Sequence, residues 1–163
     1  MTTASPLDRI RSWSDARAWR ATQGGRVVFT NGVFDLIHPG HIDVLLGARA
    51  CGDVLVVGIN SDDSVRRLKG PERPVRAAAD RAYVLAALSM VDCVAVFEQD
   101  TPRELIQMLQ PDVIVKGGDY SAETVVGASE TRARGGDVVI IPLTPGHSTT
   151  ATIAKLRTGT PDV

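Results

Sequence analysis

The sequence predicts an α/β fold, a five-stranded parallel sheet with helices on both faces. Three observations predict it. Five short runs rich in Val, Ile and Phe lie along the chain at 26–30, 53–59, 92–97, 112–116 and 137–142. Segments with apolar residues at helical spacing separate these runs. Polar and glycine-rich clusters follow four of the five strands, on the side where open α/β sheets bind ligands.

Each element has its own signal. A helix near 14–23 comes first, and RVVFT (26–30) is a first strand, too short and too β-branched for a helix. From Pro39 to about Ala50, the residues Ile42, Leu45, Leu46 and Ala50 recur at helical spacing, with Gly52 as a stop. DVLVVGI (53–59) is the second strand. A polar helix follows around 62–69, then a Pro/Arg-rich connection and an Ala/Leu-rich helix over 79–90. After the third strand, DCVAVF, Thr101 and Pro102 supply an N-cap and an N1 proline for the helix RELIQMLQ. DVIVK (112–116), a weak helix around 122–133, DVVIIP (137–142) and a final helix over about 149–156 complete the chain, with TGTPDV frayed. Right-handed crossovers then bring all strand C-termini to one edge, a doubly wound, Rossmann-like arrangement.

Composition excludes several function classes. A 163-residue chain suffices for one domain that buries roughly 70% of its unfolded surface. Eighteen basic residues nearly balance nineteen acidic ones, and aromatics make up 4%, so neither nucleic acid nor a membrane surface is the expected partner. No stretch approaches the roughly 20 apolar residues of a membrane span, and MTTASPLDRIRSWSD lacks a signal-peptide core. Cys51 and Cys93 form no CxxC pair, so free thiols in a reducing, cytoplasmic setting are expected.

The chemistry concentrates after the strands. In TNGVFDLIHPGH (30–41), His38 and His41 bracket the start of a helix, and their spacing puts both on one face. A helix N-terminus is a ready anion site, and imidazole N–H groups add donors there. The competing explanation is that Pro39-Gly40 makes a turn and the histidines fill space. A metal pair lacks further ligands nearby. Asn31-Gly32 permits close backbone approach to a ligand, while Asp35 serves either the turn or the loop's orientation. The stretch 66–81 holds six basic residues (Arg66, Arg67, Lys69, Arg73, Arg76, Arg81), either a solvated face or a phosphate-covering loop worked by Lys69 and Arg73. In KGGDY (116–120), Lys116 ends a buried strand. In GHSTT (146–150), Ser148 is placed to cap a helix, which is compatible with a ligand on the same amides. Neither GxxxxGK[ST] nor GxGxxG is present.

GVFDLIHPGH resembles the GxFDxxHxGH motif of the HxGH nucleotidyltransferase superfamily, and GHSTT is similar to its C-terminal (I/H)S(S/T)T motif. The resemblance spans about residues 26–157. FTNGVFDLIHPGH, NSDDSVRRLKGPERPV, VIVKGGDY and PLTPGHSTT look most like the D-glycero-β-D-manno-heptose 1-phosphate adenylyltransferases, often fused behind a ribokinase-like kinase. The resemblance implies a single nucleotidyltransferase domain over 1–163, with a helical extension over 1–25 and a catalytic core over 26–157. It implies a stand-alone enzyme that moves AMP from ATP to the sugar 1-phosphate and releases pyrophosphate.

On this resemblance His38, His41 and Lys69 act on the phosphates. Thr30, Asn31, Gly32, Val33, Phe34, Gly40, Lys116, Gly146, Ser148 and Thr149 line the nucleotide. Asp35, Arg73, Gly118 and Asp119 stand on the acceptor side. Mg²⁺ bridges phosphate oxygens without a metal site made by the chain itself, and a homodimer or higher homo-oligomer is expected by analogy. Val33 stands where many relatives carry Cys. Leu143 replaces an Arg typical of glycerol 3-phosphate cytidylyltransferases; these, another small-molecule HxGH nucleotidyltransferase and a non-catalytic nucleotide-binding module are the alternatives.

Overall fold

The computed structural model describes residues 5–142, 145–146 and 148–158, so Leu143, His147 and the end of TGTPDV lie outside it. A 3₁₀ turn (Pro6–Arg9) and α1 (Trp13–Ala21) precede the sheet. Then follow β1 (Val27–Gly32), α2 (Pro39–Arg49), β2 (Val54–Asn60), α3 (Asp62–Lys69), α4 (Ala78–Ala87) and β3 (Cys93–Phe97). The rest is α5 (Arg103–Leu109), β4 (Val113–Gly117), α6 (Ala128–Ala133), β5 (Asp137–Ile141) and α7 (Thr149–Thr158). The five strands form one parallel sheet in the order β3-β2-β1-β4-β5, which is the predicted α/β architecture.

Strand alternation divides the core between two faces. Val28, Leu55 and Val57 pack with Leu45 of α2 and Leu85 of α4. On the other face, Val27, Phe29 and Val56 pack with Ala16 of α1, Leu105 of α5 and Ala128 of α6. The order reverses between β1 and β4, and here the sheet forks. β1 pairs with β2 as far as Gly32, but with β4 only from Val28 to Thr30, while β4 stays paired to β5 as far as Gly117. The fork opens at the carboxyl edge.

The N-terminal segment packs on this sheet. Ile10 bridges to Val94 at the β3 edge, and Trp13 Nε1 donates to the Val96 carbonyl at 2.7 Å. Arg9 Nη1 caps the end of α4 through the carbonyls of Ala86, Leu88 and Val91.

Three local expectations need correction. The helix expected to reach Met90 stops at Ala87, because Leu88 turns extended (φ −73°, ψ 132°) to lead into β3. The expected helix over 122–133 is confined to Ala128–Ala133, since Gly127 interrupts it at φ 84°, where a Cβ would lie 2.8 Å from Ile106. Pro102, not Thr101, occupies the N-cap position of α5, and no side chain caps that helix.

Candidate active site

The loop leaving β1 is shaped by two backbone requirements. Phe34 takes a left-handed conformation (φ 48°), and its ring lies where any Cβ on Gly32 would sit, at 2.9 Å. Glycine at 32 therefore lets the Phe34 ring fold back against the histidines. His38 is the N-cap residue of α2, with extended backbone, and its carbonyl accepts from the amides of His41 and Ile42. His41 thus falls in the first turn, and the two imidazoles stack with centroids 3.8 Å apart at 22°. Phe34 packs on His41 at 5.1 Å. Pro39 opens the helix without an N–H to satisfy, and Gly40 beside it lies in the cleft between the two histidines.

Burial, and then the neighbouring His38, lower the His41 pKa to about 4, against a weaker pull from the Leu36 carbonyl. The ring is neutral at pH 7, and an anion brought beside it would favour its charged form.

The same Leu36 carbonyl ties in the third wall. Thr149 Oγ1 donates to it at 3.2 Å, so the first residue of α7 is fastened to the histidine loop. Ser148 Oγ accepts from the Ala151 amide at 3.4 Å and caps α7, as the sequence predicts. The fourth wall is the end of β4. Lys116 Nζ crosses the fork to the carbonyl and the side-chain oxygen of Asn31, 3.2 Å each, and lies 5.6 Å from the Tyr120 ring centre.

These walls enclose a cleft of about 360 Å³. It gathers Thr30, Asn31, Gly32, Phe34, His38, Gly40 and His41 from the first loop, with Lys116, Ser148 and Thr149 opposite. A second cleft of about 370 Å³ adjoins it and contains Val33 and Lys69 beside Asn60, Asp100, Thr101 and Thr124. Both clefts share Asn31, Gly32, Lys116 and Tyr120.

Other expected residues lie apart. The Asp35 side chain has 0% exposure and accepts from Arg73 Nε at 2.7 Å and from the amides of Val75 and Arg76 at 2.9 Å. Asp35 and Arg73 thereby hold the connection after α3, and neither lines the two clefts. Gly118 is buried and joins β5 through its amide and the Ile141 carbonyl. Asp119 and Gly146 are exposed and line neither cleft.

The basic stretch resolves unevenly. Arg66 pairs with Asp63, Arg67 with Asp100, and Arg73 with Asp35. Arg81, 1% exposed, is a core residue whose guanidinium donates to the carbonyls of Val33, Asn60 and Arg76 and to Asp62. Among the described residues, Lys69 and Arg76 have no carboxylate partner, and Lys69 alone of the two lines a cleft just described. Sequence reasoning missed Arg81 as a strut and Tyr120 as a shared wall. The signal for Arg81 was its helical register with Leu85 on the buried face of α4.

No group of three or more His, Cys, Asp or Glu placed to hold a metal exists among the described residues. None of the described helices is long and apolar enough to cross a membrane.

Residues 29–155 match the family described as cytidylyltransferase-like. The bifunctional protein HldE of Hyphomonas neptunium is 59% identical over 141 residues, 86% of this chain and 29% of that protein. The protein of the same name from Acidiphilium cryptum is 57% identical over 142 residues, 87% of this chain and 29% of its own length. The chain therefore spans under a third of these relatives. Among solved structures, the lipopolysaccharide core biosynthesis protein from Thermoplasma volcanium GSS1 matches with a TM-score of 0.61 at 27% identity, covering 74% of this chain and 98% of that one. Pantoate-beta-alanine ligase from Francisella tularensis gives 0.56 at 14% identity over 83% of this chain and 68% of that one, a likeness of fold alone. The family match starts within β1, runs through both histidines and ends inside α7, so it takes in every wall of the cleft. On that extent, the chain belongs to the cytidylyltransferase-like family.

Proposed function

We propose that this chain transfers AMP from ATP to D-glycero-β-D-manno-heptose 1-phosphate, giving ADP-heptose and pyrophosphate. The observation that carries the reading is the pair of stacked histidines at the N-terminus of α2, facing Lys116 and the start of α7 across one cleft. The choice of acceptor rests on the sequence resemblance of FTNGVFDLIHPGH, VIVKGGDY and the GHSTT ending to the heptose 1-phosphate adenylyltransferases. Similarity to HldE proteins and to a lipopolysaccharide core biosynthesis protein supports it.

An oxygen of the sugar phosphate attacks the α-phosphorus of ATP. The new P–O bond forms as the bond to the α–β bridging oxygen breaks, and pyrophosphate leaves with that electron pair. The attacking oxygen is already ionised, so no base is required, and positioning and charge stabilisation carry the rate. His38 and His41 donate imidazole N–H groups to the phosphates, the Gly40 amide at the start of α2 adds its own, and Lys69 reaches in from the end of α3. Ser148 and Thr149 hold the nucleotide from α7. Mg²⁺ enters on the triphosphate and offsets its charge. Residues 26–157 form the catalytic core, working in the cytoplasm as a homo-oligomer.

The test is pyrophosphate release with ATP, CTP or GTP against heptose 1-phosphate and glycerol 3-phosphate. Turnover confined to ATP with heptose 1-phosphate is expected. Turnover with CTP and glycerol 3-phosphate would replace this reading with the cytidylyltransferase one. Nucleotide binding without release for any acceptor would leave a binding module.

A further inference from the structure

Lys116 is a partly buried cation without a counter-anion. Its Nζ meets two neutral oxygens of Asn31 and the face of Tyr120, and no carboxylate among the described residues lies within ion-pair distance. A positive charge withdrawn from water is costly unless an anion joins it. The position of this one is specific. It spans the fork between β1 and β4, and it lines both clefts where they meet. The first cleft holds the histidine pair and the α7 hydroxyls. The second offers Asn60, Asp100, Thr101 and Thr124, a set of neutral and acidic hydrogen-bonding groups suited to hydroxyls.

We infer that Lys116 is a catalytic residue that contacts both reacting phosphates at once, the α-phosphoryl group from the first cleft and the acceptor's phosphate from the second. The inference rests on the nucleotidyltransferase reading and goes beyond it by assigning the second cleft to the acceptor. The reaction brings a phosphate monoester against an already anionic phosphoryl group, and their repulsion opposes the approach. A cation at the junction offsets that repulsion where the new bond forms, and it neither takes nor gives a proton. Burial lowers the pKa of Lys116, and an anion beside it would favour the charged form again. Lys69, exposed at the end of α3, is placed to meet the acceptor from the far side of the second cleft.

The experiment compares the wild-type chain with Lys116→Met and Lys116→Arg. Binding of a non-hydrolysable ATP analogue with Mg²⁺ is measured by calorimetry, and kcat and acceptor KM by pyrophosphate release. Lys116→Met is expected to bind the analogue within about threefold of wild type, while kcat falls about 10²-fold or more and acceptor KM rises. Lys116→Arg is expected to recover part of kcat, which a purely structural role would not require. Loss of analogue binding with residual kcat intact would make Lys116 a nucleotide-tail ligand and overturn the inference. Unchanged kcat in Lys116→Met would overturn it as well. If Lys116→Met does not fold by circular dichroism, Lys116→Gln takes its place with the same expectations. A wild-type chain without turnover on ATP and heptose 1-phosphate defeats the functional reading itself, before any variant is compared.

Discussion

Asp35 and Arg73 form an ion pair at 2.7 Å in which the carboxylate is wholly shielded from solvent. The pair joins the histidine loop to the connection between α3 and α4, and the amides of Val75 and Arg76 complete the carboxylate's partners. Burial by itself would raise the Asp35 pKa. The Arg76 and Val75 amides and the Arg73 guanidinium outweigh it and hold the pKa below its ordinary value.

Asp35→Asn is therefore expected to destabilise the fold by about 3 kcal/mol, the scale for breaking one partner of a buried ion pair. Because the folded pKa is depressed, this stabilisation is complete above the unfolded value near 3.8 and is lost as pH falls through the lower folded value. Urea denaturation at pH 7 and near pH 3 measures both. A gap between wild type and variant that stayed the same at both pH values would show that charge is not its source.

His41→Ala is expected to lower kcat by about 10²–10³, the scale of losing one charge-stabilising donor. The imidazole also makes a pH prediction. Its folded pKa of about 4 lies below the ordinary 6.5, so the unfolded chain binds the extra proton between these values. Stability from this group is present above about pH 6.5 and is lost on acidification toward pH 4. A triphosphate raises the pKa again, so nucleotide binding at pH 6 should take up a proton. Calorimetry in two buffers of different ionisation enthalpy reads this uptake, and identical observed heats in both would mean that the ring stays neutral when loaded.

Thr149→Val removes the hydrogen bond to Leu36 and keeps the shape of the side chain. A loss of about 1 kcal/mol is expected, seen as roughly a fivefold rise in nucleotide KM with a smaller change in melting temperature. An unchanged KM would mean that α7 is positioned without this bond.

Arg81→Met should cost about 3–5 kcal/mol, because Asp62 and three carbonyls lose their donor together in the core. Chemical denaturation of the variant provides the check, and a loss under 1 kcal/mol would place the strut elsewhere.

Arg81 also shows where the sequence was legible and where it was not. Strand and helix positions followed from short apolar runs and helical spacing, signals carried by many residues at once. The histidine pair was equally readable, because a Pro-Gly between two histidines after a strand fixes a helix start. Arg81 and Arg73 stood in a basic stretch, and composition alone treats six cations as equivalent. Their separation into a core strut, a loop clasp and an open Lys69 depends on partners up to 48 residues away, such as Val33 for Arg81. Helix ends failed for a related reason. Leu88 leaves helical geometry, and Arg9 reaches back from the chain's start to cap α4, a contact that no local pattern announces.

The parting of β1 from β4 beyond Thr30 has a consequence for how such a site can diversify. The cleft opens where two strands stop sharing hydrogen bonds, so its place is set by main-chain pairing and not by any one side chain. Altering residues on the rim would then change what the cleft accepts and leave the split in the sheet, and the opening that it creates, where they are.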